Sequence, residues 1–164
     1  MTGRPGTFHR HPGDGWVECD QGHRHWGLHG AAGLLVARRA HDGEIDAVVL
    51  QHRALWSDEG GTWGFPGGAL APGESPEHGA LREAAEEAGI EPVAVRLRGS
   101  VVLDHVGWTY TTVLAEALSA FEPAATDAES LEVSWVRLDD VAGLPLLPAF
   151  GAAWPRLRGL LQAP

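Results

Sequence analysis

The sequence predicts an α/β fold in which a mixed β-sheet lies between helical layers. Two patterns carry that expectation. Apolar and β-branched runs recur on both sides of one strongly signalled helix, and a second helical pattern closes the chain; together they require a sheet covered on both faces. At 164 residues the chain has the size of one ordinary domain with a sizeable core.

Residues 1–29 are rich in Gly, Pro and His and are expected to form a partly ordered arm before a domain spanning 30–164. The arm carries His9, His11, His23, His25 and His29 beside Cys19. A zinc site is conceivable there, but one cysteine and irregular histidine spacing lack the paired knuckles of structural zinc sites. Trp16 and Trp26 argue that the later part of the arm packs down. Residues 30–37 (GAAGLLVA) and 45–51 (IDAVVLQ) read as strands joined at His41-Asp42-Gly43, apolar enough to be covered on both faces. His52-Arg53 and a Gly-rich acidic loop lead to Trp63-Gly64-Phe65-Pro66-Gly67-Gly68, where glycine permits tight backbone geometry. Beyond the central helix, residues 93–103 and 108–118 read as strands around Asp104-His105-Val106-Gly107. A polar loop at 122–130 precedes a strand at 131–138 that contains Trp135. Phe150, Trp154, Leu157, Leu160 and Leu161 recur at helical spacing, so a C-terminal helix is expected, started or kinked by Pro155.

The central stretch, 68–90, reads GALAPGESPEHGALREAAEEAGI. Ser75 can cap a helix, Pro76 suits its first position, and Gly89 suits a left-handed exit. At about 100° per residue, Glu83, Glu86 and Glu87 share one face, with Gly79 one turn earlier. Leu81, Ala84, Ala85 and Ala88 are expected roughly opposite, as a stripe for packing on the sheet. Like charges at this spacing cost a few tenths of a kcal/mol each. Without a cation the cluster is unfavourable, and hard oxygen donors suit Mg²⁺ or Mn²⁺.

Gly68, Glu74, Arg82, Glu83, Glu86, Glu87, Gly89 and Ile90 complete the pattern G-x5-E-x7-R-E-U-x-E-E-x-G-U, with Ala84 at the first aliphatic position. Seven fixed letters arise by chance on the order of 10⁻⁶ times per chain of this length. The stretch resembles the Nudix box, and the chain is similar to Nudix hydrolases, most like the MutT-type members because of the Trp63–Gly68 lead-in. The resemblance implies the Nudix α/β/α sandwich with its loop-helix-loop. It also implies metal and base work by Glu83, Glu86 and Glu87, metal ligation by the Gly68 carbonyl, an Arg82 that orients Glu83, and structural support from Glu74 and Gly89. Arg53 is the candidate for facing substrate phosphates. Many family members add an acid from beyond the box; Glu132 is the first choice here, ahead of Glu129 and Asp104. Trp63 and Tyr110 are candidates to stack on a base, and His105 reads as a polar turn residue.

Hydrolysis of a diphosphate needs its negative charge offset and a water deprotonated. The expected activity is metal-dependent hydrolysis of a nucleoside diphosphate derivative, a nucleoside triphosphate first, with an ADP-ribose or nucleotide-sugar pyrophosphatase as the alternative. A nucleotide-binding sensor would usually have lost box glutamates, which this chain keeps. A prenyl diphosphate isomerase would want a cysteine deep in the sheet, where Cys19 fits poorly. An oxidised-guanine specialist would be expected to carry an asparagine near the last helix; this chain has Pro148-Ala149-Phe150 there and no asparagine at all. A net charge of −10 argues against nucleic acid or an anionic membrane as partner. The single cysteine, and the lack of a signal-like or spanning apolar run, fit a cytoplasmic protein with a small nucleotide substrate. A homodimer is compatible with the resemblance.

Overall fold

The computed structural model describes residues 11–164; His9 and the rest of the first ten arm residues lie outside it. The chain runs β1 (Trp16–Glu18), β2 (Arg24–Trp26), β3 (Ala31–Arg39), β4 (Ile45–Arg53), β5 (Trp63–Gly64), β6 (Gly67–Ala69), α1 (Pro76–Ala88), β7 (Val95–Asp104), β8 (Thr109–Ala117), β9 (Ser130–Arg137), α2 (Leu138–Val141) and α3 (Pro148–Gln162). Each strand expected from 30 onward is present within a few residues. The β1–β2 hairpin was not anticipated; Trp16 and Trp26 meet edge to face across it, 5.2 Å apart.

Seven strands form one sheet. Strands β3 and β8 run parallel, and the other pairs are antiparallel, so the sheet is mixed. Its centre forks. Strands β3 and β4 pair only near their shared turn, from Ala37↔Val48 to Arg39↔Ile45. Past that point β3 takes β6 as its partner on that side, while β4 takes β5. The Trp63–Gly68 turn thus wedges between the diverging strands and puts Gly68 opposite Ala32.

Strand alternation sorts the core into two layers. Ala32, Leu34, Val36, Val49, Val113 and Ala115 pack with Ala80, Ala84, Ala88 and Ile90 of the α1 side. Leu35, Ala37, Val48, Leu50 and Leu114 face Phe150, Trp154, Leu157 and Leu161 of α3. Each of those α3 side chains contributes about 1.5–3 kcal/mol by burial. This is the expected helix–sheet–helix sandwich. Pro148 opens α3, and Pro155 lies inside it, exposed.

One expectation about α1 is corrected. The buried row is Ala80, Ala84 and Ala88, next to Gly79, Glu83 and Glu87. Leu81 and Ala85 are only partly buried. The carboxylate row therefore adjoins the packed stripe, and two of its three members enter the protein.

Candidate active site

The box helix is held at both ends. Ser75 accepts a hydrogen bond from the His78 amide at 3.2 Å, and Pro76 occupies the first turn. Gly89 takes the left-handed conformation at φ 66°, which an L side chain would strain. Its amide donates to the Ala85 carbonyl, and that of Ile90 to Ala84. The remaining terminal carbonyls find donors in the 122–130 loop. Ala124 N donates to Ala88 O at 3.1 Å, Thr126 N to Glu87 O at 3.3 Å, and the Thr126 hydroxyl to Glu86 O. Orphan carbonyls at a helix end need such partners. By supplying them, the loop carries Asp127 and Glu129 to the helix.

Arg82 organises one half of the site. Its Nε and Nη2 grip the Glu74 carboxylate at 2.9 Å each, Nη1 reaches Glu83 Oε1 at 2.9 Å and Glu86 Oε2 at 3.4 Å, and Nη2 also donates to Ala69 O. This clamp holds the Glu74 carboxyl at about 2, well below the usual range. Glu83 responds differently: burial pushes its carboxyl up to about 7, against the pull of Arg82. A Cβ at residue 68 would lie 2.6 Å from Glu83 Oε1, so only glycine lets the turn approach this carboxylate. Leu70 and Glu74 fill the space that Gly79 leaves open.

The other half centres on Glu87, which is buried and accepts from the Gly67 amide at 3.1 Å. Burial first, then the charges of Glu83 and Glu129, drives its carboxyl well above the usual range. Two donor sets result. His11, Glu83 and Glu86 bring ligand atoms within 4.8 Å of one another, as do Glu87, Asp127 and Glu129. Buried carboxylates facing each other with raised affinity for protons are a strained arrangement, and hard divalent cations relieve it.

The remaining candidates divide. Tyr110 packs edgewise on Phe65, with its hydroxyl over the Gly33 and Gly67 backbone; burial and the Glu87 charge raise its phenol. The Arg53 charge acts on the same phenol, while Arg53 Nε donates to Asp58 O. Trp63 is stacked on His52 at 4.6 Å and packs in the α3 layer. Glu132, expected to supply the extra acid, does not join either donor set. Val133 belongs to the layer under α1, so alternation along β9 turns its exposed neighbour Glu132 to the other face. Glu129 is the acid brought to Glu87. Asp104 instead accepts from Val106 N in its own turn. His11 and Asp127 were not anticipated, since their contacts with α1 span long sequence separations and leave no local pattern. His11 Nε2 lies 3.3 Å from Glu86.

These shifts set a pH dependence of the metal-free protein. With Glu83 raised from 4.5 to about 7, the folded chain binds more protons than the unfolded chain between those values. The Glu83 contribution to stability is therefore full below pH 4.5 and declines as the pH rises to about 7. Glu83 accounts for at most about 3 kcal/mol of the decline, and Glu87 acts in the same direction. Glu74 contributes the opposite way and lower down: its stabilisation is present above 4.5 and lost as the pH falls toward about 2. Urea denaturation with chelator should show the midpoint falling across the upper window. A midpoint that rises there contradicts the burial of these carboxylates.

The fold agrees with known proteins. A family model described as NUDIX domain matches residues 27–157. The chain belongs to the Nudix hydrolase family. Over 154 residues this Nudix chain is 53% identical to the "Nucleoside triphosphate pyrophosphatase/Nudix hydrolase fusion protein" of Bifidobacterium longum, covering 92% of this chain but 32% of that protein. It thus spans about a third of that relative's length. It is 49% identical over 155 residues to "Putative 8-oxo-dGTP diphosphatase 3" of Mycobacterium tuberculosis, covering 91% of this chain and 70% of that one. The crystal structure of the Nudix hydrolase RenU from M. smegmatis superposes with a TM-score of 0.81 at 46% identity, covering 90% and 94% of the two chains. Nudix hydrolases generally use divalent metal ions. Among the described residues, no helix is long and apolar enough to cross a membrane.

Proposed function

We propose that the chain hydrolyses a diphosphate linkage in a nucleoside triphosphate, releasing the monophosphate and pyrophosphate, with Mg²⁺ or Mn²⁺ as cofactor. The observation that carries this reading is the pair of donor sets, His11/Glu83/Glu86 and Glu87/Asp127/Glu129, along one face of the box helix. Bound divalent ions supply the positive charge that offsets phosphate repulsion and acidifies water. The protein's own part is to hold those oxygens in register. Arg82 fixes Glu83 and Glu86 on one side, and the Gly67 amide with the 122–130 loop fixes Glu87, Asp127 and Glu129 on the other. A carboxylate of this set takes the proton from the attacking water, a contribution typically worth about 10²–10⁴-fold. In this reading Arg53, at the end of β4, is the candidate to meet phosphate oxygens, and Trp63 and Tyr110 are the candidates to border the base. The mycobacterial relative's name supports a nucleoside triphosphate as substrate. The fusion relative's name spans two activities over a chain three times as long, so it weighs less.

Residues 30–164 form the catalytic domain in this reading, and the preceding arm adds His11 to the site. The test is a screen of phosphate and pyrophosphate release across dNTPs, NTPs, ADP-ribose, NADH, dinucleoside polyphosphates and nucleotide sugars. Triphosphates are expected to lead, and chelation to cut turnover by at least about 10²-fold. Turnover indifferent to chelator, or a preference for ADP-ribose, overturns the proposal.

A further inference from the structure

A second cluster of metal-binding side chains shares no residue with the carboxylate site. Cys19, His23 and His25 belong to the β1–β2 hairpin, and His105 to the turn between β7 and β8. One donor atom from each lies within 4.8 Å of the others. We infer that these four residues form a tetrahedral zinc site that staples the hairpin to the sheet.

The ligand chemistry is specific. One thiolate and three imidazoles suit a borderline-soft ion such as Zn²⁺ and suit Mg²⁺ poorly. Zinc–sulfur and zinc–nitrogen bonds of ordinary length put neighbouring donors roughly 3.3–3.6 Å apart, so small side-chain movements close the set. Cys19 is buried at 4% exposure, and His25 Nε2 is buried with no hydrogen-bond partner among the described residues. A buried polar atom left unpaired is costly, and a coordinate bond would satisfy it.

The backbone around the cluster is already arranged to hold it. Cys19 N donates to His23 O at 2.9 Å and Gly22 N to Cys19 O at 2.9 Å, closing the hairpin turn. Asp20 N donates to Val106 O at 2.9 Å, which ties that turn to the one bearing His105. The His105 amide donates to Trp108 O, fixing the base of its own turn. His25 lies flat on Trp108 at 4.1 Å, and the Trp108 indole is anchored to Gly27 O at 3.1 Å. An isolated two-stranded hairpin is marginal in water, and a structural zinc ion adds folding energy directly.

The test uses the untagged full chain in excess Mg²⁺, so that the carboxylate sets are already occupied. Elemental analysis is expected to find one zinc per chain retained through dialysis. Co²⁺ substitution is expected to give a thiolate-to-cobalt charge-transfer band. Cys19 is the only cysteine, so that band reports this site alone. Cys19→Ser should abolish the band, His105→Ala should weaken zinc binding by at least about 10²-fold, and zinc should raise the Tm of the native chain only. A native chain that shows neither retained zinc nor the band overturns the site, whether or not the variants fold. So does zinc binding unchanged in both variants. The hydrolase reading stands apart from either outcome, since triphosphate turnover tests it separately.

Discussion

Glu87→Gln is expected to lower turnover by about 10³-fold while leaving the metal-free protein at least as stable. The two effects have one cause. Glu87 is buried against the Gly67 amide and crowded by Glu83 and Glu129, so its charge is unfavourable in the resting fold. Glutamine keeps the shape and removes that charge. What it loses is the anionic oxygen on which, in the proposed function, cation binding and proton acceptance rest. Such a trade of stability for activity is common where a site needs a strained group. The same assay separates the acids outside the box. Glu129→Gln should cost about 10-fold or more by weakening the same donor set, whereas Glu132→Gln, on the far face of β9, should be near native. Steady-state turnover with Mg²⁺, beside chelator-treated thermal melts, measures both. Full turnover in a folded Glu87→Gln variant removes the metal-carboxylate reading, and a large loss in Glu132→Gln removes the assignment of Glu129.

The parts of this site visible in the sequence are those whose causes are local. Ser75, Pro76 and Gly89 mark the ends of α1 by short-range backbone chemistry, and the i, i+3, i+4 spacing of Glu83, Glu86 and Glu87 needs nothing beyond the helical repeat. The two core layers were readable for the same reason, as runs of apolar residues. The depth of the glutamates was not. A helical repeat gives the angle between residues but not which angle faces the sheet, and Ala80 rather than Leu81 turned out to be the inner residue. The placement of Glu129 and Glu132 was hidden for a related reason. It depends on the pleat of β9 and on a loop drawn to carbonyls of α1 forty residues away. The grouping of Cys19, His23 and His25 with His105 was hidden too, because the two turns are distant in sequence and meet only in the fold, joined by the Asp20–Val106 backbone bond and the His25–His105 ring contact.

Arg82→Ala should be the most destabilising single change in the site, by about 3–5 kcal/mol. The guanidinium touches Glu74, Glu83, Glu86 and the Ala69 carbonyl, and the side chains of Glu74 and Glu83 are 7% and 9% exposed. Removing it leaves nearly dry carboxylates without their shared cation, with only the Ala71 amide and His78 still on Glu74, which costs more than the pair itself contributes. Arg82→Lys keeps the charge, but a point-like ammonium cannot make the fork to Glu74 while reaching Glu83, so it should recover less than half of the loss. Glu74→Gln supplies the control. If the clamp is one unit, Arg82→Ala combined with Glu74→Gln will cost clearly less than the two single changes added together, because the second removes a charge that the first stranded. Urea denaturation of the four proteins in chelator reads the coupling directly. Strict additivity, or an Arg82→Ala variant as stable as the native chain, would mean that the contacts are surface decoration. The arrangement of Glu83 and Glu86 would then need some other cause than the arginine between them.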